Sequence, residues 1–308
     1  MESVIVGSIQ PSLAKFDLMT LRTRGYINLF LVVVFWGMTF PMQKAILSDL
    51  SPAFYNAFRF AIAVLLLIPF RRLRQNADKA SLLKGIVLGL FLSGGYLFQT
   101  WGLRYTTASK SGFITALYVG IVAILSPVIE KKVPKPFQVL SLAVSLVGLY
   151  LITNPAGGLN IGDLLTTICA FCFALHVVMI SYFTSNSNTN ELSMLFPQLV
   201  VVAVINAIFI PFIPGEVFLT PSIGFVAVFT ALFATIFAVV AQLKYQRFLG
   251  SVGASLVYVG EPGFAFLFAM ILLNETLLTV EIVGLFVMSL GIILGSLSLF
   301  KQSLGAER

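Results

Sequence analysis

Residues 34–44 read VFWGMTFPMQK and lie inside an apolar run, Tyr26–Leu47, from which the rest of the chain is interpreted. At 1.5 Å per residue, this run is long enough to cross the roughly 30 Å hydrocarbon core of a bilayer as one helix. Four of its residues are unusual for such a helix: Gly37, Thr39, Pro41 and Gln43. One explanation is that Gly and Pro are more frequent in membrane helices than in soluble ones. The other is that the helix is interrupted here, so that free carbonyls and small side chains face a polar binding cavity.

The composition extends this interpretation to the whole chain. Of the 308 residues, 58% are hydrophobic and 10% are charged, and the mean hydropathy of +1.00 is far above that of a soluble globular chain. Most apolar segments are about 20 residues long, the length of a membrane span. We therefore expect an all-α integral membrane protein with ten transmembrane helices. The predicted spans are 26–47, 52–70, 81–101, 107–129, 136–153, 161–183, 191–213, 222–246, 253–273 and 279–300.

The basic residues indicate an orientation rather than a nucleic-acid partner. The net charge is +7, but the 19 Lys and Arg residues are unevenly placed. All except Lys44, Arg59, Arg104 and Lys110 fall in segments on the same side of the predicted membrane as the N-terminus. Because cytoplasmic loops carry an excess of Lys and Arg, both termini are predicted to be cytoplasmic. Residues 1–25 then form a cytoplasmic N-terminal segment, and residues 301–308 form a cytoplasmic tail.

The two halves of the chain form a weak internal repeat. At an offset of 143 residues, Gln99 aligns with Gln242 and Gly148 with Gly291, without a gap from 99 to 151. The spans and loops of the two halves coincide, with a first five-helix repeat at 26–153 and a second at 161–300. Because five is an odd number, the two repeats must cross the membrane in opposite directions. Inverted repeats of this kind are found in many secondary transporters.

Several short motifs carry a family resemblance. They are WGMTFP (36–41), LSPAFYNAFRFAIAVLLL (50–67), GLRYTTASKSGFITAL (102–117), GDLL (162–165), and GEP (260–262) with the LLNETLLTVEIVGLFVMSLGIIL that follows it. In order and position they resemble the drug/metabolite transporter superfamily, in its EamA-type ten-helix branch. The resemblance implies two inverted five-helix repeats around a central cavity. It also implies substrates among amino acids, other metabolites and drugs, since aromatic amino acid exporters belong to this branch.

Three ionisable residues near the middle of predicted spans are candidate functional groups, since a charge there is costly and needs a partner, a cavity or a role. Arg59 either locks helices together, through a buried ion pair or by binding backbone carbonyls, or contacts a substrate carboxylate. Glu261 is either a hydrogen-bonded carboxyl beside Pro262, or a proton carrier or amine ligand. His176 is either a satisfied core residue or a proton-sensitive part of the cavity wall. Under the repeat alignment, it corresponds to Thr39.

Helical spacing places further polar and aromatic residues beside these three. Trp36, Thr39 and Gln43 share one face of the first span, and Tyr96 and Gln99 share one face of the third. Stripes at matched places in two inverted repeats favour a shared wet cavity over isolated interhelical hydrogen bonds. The complete predicted solute site is Trp36, Thr39, Gln43, Arg59, Tyr96, Gln99, Thr115, Tyr118, His176, Tyr258 and Glu261.

A secondary transporter is the function that these features favour. No nucleotide-binding loop is present in the sequence, so coupling would come from an ion gradient, with protons as the candidate ion, or the protein would be a facilitator. A non-transporting membrane subunit is the alternative. We expect no enzymatic activity, cofactor, metal site or nucleic-acid partner. The predicted partners are a small organic solute and the lipid bilayer, in a bacterial or archaeal plasma membrane, for a monomer or a homodimer.

Overall fold

The computed structural model describes residues 2–70, 78–131, 136–153, 160–185, 191–276 and 278–305, and all regular elements among them are helices. Short 3₁₀ turns lie at Glu191–Met194 and Ile210–Phe212, and a π-helical segment covers Thr230–Phe237. The described ranges contain twelve α-helices: α1 Glu2–Lys44, α2 Pro52–Leu67, α3 Lys79–Tyr105, α4 Ala108–Thr115, α5 Tyr118–Ile129, α6 Pro136–Thr153, α7 Ile161–Thr184, α8 Leu195–Phe209, α9 Pro221–Phe229, α10 Ala238–Tyr258, α11 Glu261–Leu273 and α12 Thr279–Gly305.

Most of these helices are long and apolar enough to lie in a membrane. In the part of the chain that the structure describes, six segments have the length and hydropathy of a span: Leu21–Lys44, Lys79–Tyr105, Ala108–Ile129, Ile161–Thr184, Glu191–Phe212 and Pro221–Leu273. Three shorter apolar helices accompany them: Pro52–Leu67, Val139–Gly148 and Thr279–Gly291. Many large hydrophobic side chains on the outer surface are exposed, as Ile124 and Phe286 are. An all-helical bundle with an apolar exterior is the architecture of a multi-pass membrane protein.

The first helix differs from the sequence expectation in two ways. It begins at Glu2 rather than near residue 26, and it continues without interruption through Gly37 and Pro41 to Lys44. The absent side chain of Gly37 instead allows α1 to contact α11, because a Cβ built there would lie 2.7 Å from the backbone nitrogen of Ala265. Gly37 is therefore a close-packing residue, as small residues at membrane helix interfaces are.

The interruptions occur in the fourth and ninth predicted spans. The helix breaks at Ala116–Leu117, between α4 and α5, and again at Val259–Gly260, between α10 and α11. The two breaks are 143 residues apart, at the same offset that aligns the two halves of the sequence. A third irregularity lies at Gly250, whose φ of +74° kinks α10 and requires a residue without a side chain. This kink divides the long Pro221–Leu273 segment into two.

Several helix starts follow from local sequence. The hydroxyl oxygens of Ser51, Thr107 and Thr220 accept hydrogen bonds from backbone N–H groups in the first turns of α2, α4 and α9. At the start of α7, Asn160 and Asp163 form a capping box, in which each side chain accepts from the other's backbone N–H. Such caps satisfy N–H groups that have no partner within the helix.

One end of the bundle, called the Asp163 end, is held by a buried acid and its partners. Lys110 Nζ lies 2.7 Å from the Asp163 carboxylate, which also accepts a hydrogen bond from the Thr106 hydroxyl at 3.1 Å. Beside this pair, the Glu275 carboxylate accepts hydrogen bonds from the backbone N–H groups of Ala108 and Ser109, at the start of α4. A residue that follows α11 thus closes the N-terminus of α4.

The opposite end, called the Glu130 end, has a matching arrangement. Glu130, directly after α5, accepts hydrogen bonds from Ser126 and from Ser251, which begins the part of α10 beyond the Gly250 kink. Arg247 pairs with Glu191 at the same end. The α4–α5 pair therefore runs antiparallel to the pair formed by α11 and the part of α10 beyond Gly250. The first residues of each pair are hydrogen-bonded to a carboxylate that follows the last helix of the other pair.

Candidate functional site

A central cavity lies between α1, α2, α3, α5, α7, α10 and α11. The empty space in the cavity and at its opening is about 450 Å³. Both repeats predicted from the sequence contribute to its walls. The lining residues are Trp36, Thr39, Arg59, Leu92, Tyr96, Gln99, Tyr118, Phe173, His176, Val177, Gln242 and Glu261.

Arg59 is the fully buried cation of this cavity, with 0% of its surface exposed. Its Nε donates to the Thr235 hydroxyl at 2.9 Å, and its guanidinium carbon lies 4.7 Å from the centre of the Tyr96 ring. Both terminal nitrogens, Nη1 and Nη2, lack a hydrogen-bond partner among the described residues. Nor does Arg59 form an ion pair within that part of the chain, so the buried pair, one of the alternatives considered for this residue, is not present there.

The unpaired terminal nitrogens of Arg59 indicate which chemical group the cavity is suited to bind. Leaving a charged donor buried and unpaired is costly unless a partner is supplied. The two terminal nitrogens of Arg form a planar fork that matches a carboxylate, with one hydrogen bond to each oxygen. The Arg59 end of the cavity is therefore suited to an anionic group of a bound solute.

Aromatic rings form much of the remaining wall. The Trp36 ring lies 5.3 Å from that of Tyr258, and Tyr96 lies 5.3 Å from Phe173 in an edge-to-face arrangement. Trp36 Nε1 and the Tyr96 hydroxyl both donate to the Ala234 carbonyl, at 3.1 and 3.3 Å. Since their polar atoms are bonded outward, these side chains present mainly apolar ring surface to the cavity.

His176 and Thr39 lie on the same cavity, as their alignment in the repeat predicts. His176 is 2% exposed, and its Nε2 lies 3.2 Å from Gln198 Oε1. Because Gln198 donates through its own nitrogen to the Met194 carbonyl, its oxygen accepts and His176 Nε2 is the donor. The Thr39 hydroxyl donates to the Trp36 carbonyl within α1.

Glu261 and Tyr118 occupy equivalent places in the two halves. Each is the first residue of the helix that follows a break, Tyr118 in α5 and Glu261 in α11. Glu261 is 4% exposed and faces the cavity. A helix N-terminus carries partial positive charge, which favours an acidic side chain at this position.

Three predicted site residues lie behind the cavity wall. Gln43 accepts a hydrogen bond from Thr100, and Thr115 accepts one from Gln99. The Tyr258 ring packs at a tilted angle against Trp36, and its hydroxyl donates to Gln246 Oε1. Their faces were identified from helical spacing, but in the structure none of the three lines the cavity. Thr115 and Tyr258 contact residues of the wall, whereas Gln43 bonds Thr100, which is outside the wall.

Four lining residues were absent from the predicted set: Leu92, Phe173, Val177 and Gln242. The repeat contained a signal for Gln242, because it aligns with the predicted residue Gln99 at the offset of 143. Phe173 precedes His176 by three residues and so shares its helix face. Apolar residues such as Leu92 and Val177 carry no sequence signal that separates a cavity wall from ordinary packing. Within the described parts of the chain, no group of three or more His, Cys, Asp or Glu side chains could hold a metal ion.

Comparison with known proteins identifies the family. The model of the EamA-like transporter family matches twice, at residues 23–154 and 160–297. The chain belongs to the EamA-like transporter family. An uncharacterized transporter of Archaeoglobus fulgidus is 34% identical over 271 residues, which cover 88% of this chain and 85% of that protein. A second uncharacterized transporter of the same organism is 25% identical, over 87% of this chain and 96% of its own length.

A solved structure has the same fold. One crystal structure matches 91% of this chain and 99% of its own, with a TM-score of 0.72 and 16% sequence identity. The family and these relatives identify the chain as a membrane transporter of the drug/metabolite transporter superfamily. The transporter's cavity is the candidate solute site.

Proposed function

We propose that this transporter moves small organic solutes with a carboxylate group, such as amino acids and related metabolites. The observation that carries the proposal is the unpartnered end of the Arg59 guanidinium at a buried cavity. A solute carboxylate would supply two charge-assisted hydrogen bonds there. The apolar part of the solute would pack against the rings of Trp36, Tyr96 and Phe173.

Glu261 provides a second polar group in the same cavity. When its carboxyl is ionised, its charge is opposite to that of Arg59. A solute with an ammonium group near its carboxylate could contact both Arg59 and Glu261. A zwitterionic amino acid has this pattern, whereas a simple organic acid has only the first group. Few, well-placed polar groups in a mainly apolar cavity are the usual means of fixing a small ligand's orientation.

The proposed transport mechanism is alternating access around the cavity. The helices form ten spans in two inverted five-helix repeats, with residues 1–25 and 301–308 on the cytoplasmic side of a bacterial or archaeal plasma membrane. Support comes from the 143-residue spacing of the two helix breaks and from the antiparallel course of α4–α5 and α10–α11. Residues 306–308 of the tail lie outside the described part of the chain.

Proton coupling is an extension of the proposal, because Glu261 and His176 are the titratable acid and imidazole at the cavity. If neither changes protonation during transport, the protein is a facilitator that follows the solute gradient. The proposal includes export as a direction and a monomer or homodimer as the assembly.

Flux measurements in liposomes test the proposed function. Purified protein reconstituted alone should exchange labelled L-phenylalanine across the membrane, and unlabelled L-phenylalanine should compete. L-Phenylalaninamide, which keeps the ring and the amine but lacks the carboxylate, should compete at least tenfold more weakly. Equal competition by the amide would refute carboxylate recognition, and lack of flux for amino acids and organic acids would refute the substrate class.

A further inference from the structure

The π-helical segment Thr230–Phe237 packs against α1, α2 and α10, on the side of the cavity where Arg59 lies. π-Helices are rare, and those that occur are frequently found at functional sites. This one is eight residues long, and Thr230, Ala231, Ala234 and Thr235 form its buried face. None of its residues lines the cavity.

Three cavity residues nonetheless have a hydrogen bond to this segment. Thr235 Oγ1 accepts from Arg59 Nε, and the Ala234 carbonyl accepts from both Trp36 Nε1 and the Tyr96 hydroxyl. Two adjacent residues therefore receive one donor each from α1, α2 and α3. The orientations of the guanidinium and of two neighbouring rings all depend on the same turn of helix.

The register of the π-helix explains how it reaches α2. Tyr55 and Arg59 are four residues apart on α2 and lie on one face of it. Their partners, Thr230 for the Tyr55 hydroxyl and Thr235 for Arg59, are five residues apart. In an α-helix, residues five apart are separated by about 140° around the axis. In a π-helix, whose hydrogen bonds join residues five apart, they lie nearly above one another.

We propose that Thr235 is a positioning residue that orients the Arg59 guanidinium toward the solute and so sets the preference for carboxylate solutes. With Nε bonded to Thr235 and the Tyr96 ring against the guanidinium face, the Nη1–Nη2 edge is the part left for a ligand. Without the Thr235 acceptor, Nε becomes another unpaired donor and the fork can rotate toward other oxygen atoms. This inference rests on the proposed function, because it assumes that Arg59 binds the solute.

The test compares Thr235→Val, which keeps the side-chain shape and removes the hydroxyl, with Thr235→Ser, which retains the hydroxyl. In liposomes, Thr235→Val should raise the KM for L-phenylalanine about tenfold, since a hydrogen bond to a charged group is lost. Its maximal rate, and its inhibition by L-phenylalaninamide, should stay within twofold of the unmodified protein. Thr235→Ser should restore the KM. Thr184→Val is the matched control, because Thr184 is a buried threonine at the end of α7 whose hydroxyl donates to the Ile180 carbonyl within its own helix.

The outcomes separate this inference from the function on which it rests. If the unmodified protein does not distinguish phenylalanine from its amide, the proposed function fails and the role of Thr235 fails with it. If it does distinguish them and Thr235→Val retains that discrimination, only the role of Thr235 is refuted. An equal loss for Thr235→Val and Thr184→Val would also refute it. Thr235→Cys, a weaker acceptor of similar volume, provides a second variant with an expected intermediate KM, should the valine variant not fold.

Discussion

Replacing Arg59 with Met separates binding from stability, because the two roles considered for this residue predict opposite results. Met keeps the unbranched apolar stem and removes the charge. If Arg59 were a structural ion-pair partner, its loss would leave a buried acid unpaired and cost about 3 to 5 kcal/mol of stability. Among the described residues no acid lies within ion-pair distance of Arg59, and Nη1 and Nη2 have no hydrogen-bond partner there.

The expected stability change is therefore small. Removing a charge from the middle of a membrane helix relieves about 2.5 to 3.5 kcal/mol on insertion scales. Against this stand the lost hydrogen bond to Thr235, about 1.5 to 3 kcal/mol, and the lost contact with the Tyr96 ring, about 0.5 to 2 kcal/mol. These contributions nearly cancel, so Arg59→Met should melt within about 4 °C of the unmodified protein in detergent.

Transport should respond much more strongly. Two charge-assisted hydrogen bonds to a carboxylate contribute about 3 kcal/mol or more, so apparent affinity for L-phenylalanine should fall over a hundredfold. Competition by L-phenylalaninamide should change little, and this makes the amide the internal control. A melting temperature lowered by 10 °C or more, or an equal loss for acid and amide, would refute the reasoning and make Arg59 a structural residue.

Three further predictions concern the helix contacts and Glu261. Gly37→Ala should destabilise the protein by about 1 to 3 kcal/mol, because the new methyl group would overlap α11. Gly263→Ala is the control, since nothing lies within 4 Å of its Cβ position. Equal melting temperatures for the two variants would contradict the packing role of Gly37. Asp163→Asn should lower the free energy of unfolding by about 1 to 2 kcal/mol, measured by thermal melting. The expected loss is this small because the Lys110 side chain of the ion pair is 23% exposed to solvent. An unchanged melting temperature would contradict the structural role of the pair. Glu261→Gln should abolish flux driven by a pH gradient while solute exchange continues, whereas gradient-independent flux in the unmodified protein would remove proton coupling.

Charge and repeat symmetry provided the most information about the site. Arg59, His176 and Glu261 were identifiable because an ionisable group in a membrane span is costly and therefore informative. All three lie at the cavity, as do Trp36 and Thr39 from the opening stretch. Helical spacing distinguished cavity residues from packing residues less well, because one face of a helix contacts both the cavity and the neighbouring helices. Gln43, Thr115 and Tyr258 consequently lie one layer behind the wall.

Local conformation was harder to predict. Gly37 and Pro41 indicated an interruption of the first helix, yet α1 is continuous and the breaks lie at Ala116–Leu117 and Val259–Gly260. A glycine that allows close packing and one that permits a break look the same in the sequence. The π-helical segment, with the sequence TALFATIF, resembles any apolar helix, since its register is set by partners on α2.

The carboxylates Glu130 and Glu275, at the two ends of the bundle, make each half of the chain depend on the other. Glu130, from the first half, bonds Ser251 in the second, whereas Glu275, from the second, bonds the start of α4 in the first. Either half matched by the family model, taken alone, would lack the carboxylate that accepts hydrogen bonds from its own helix start. It would also lack one side of the cavity. Although the family model matches twice, neither half is a self-contained module. Two halves made as separate polypeptides would have to associate before either was complete.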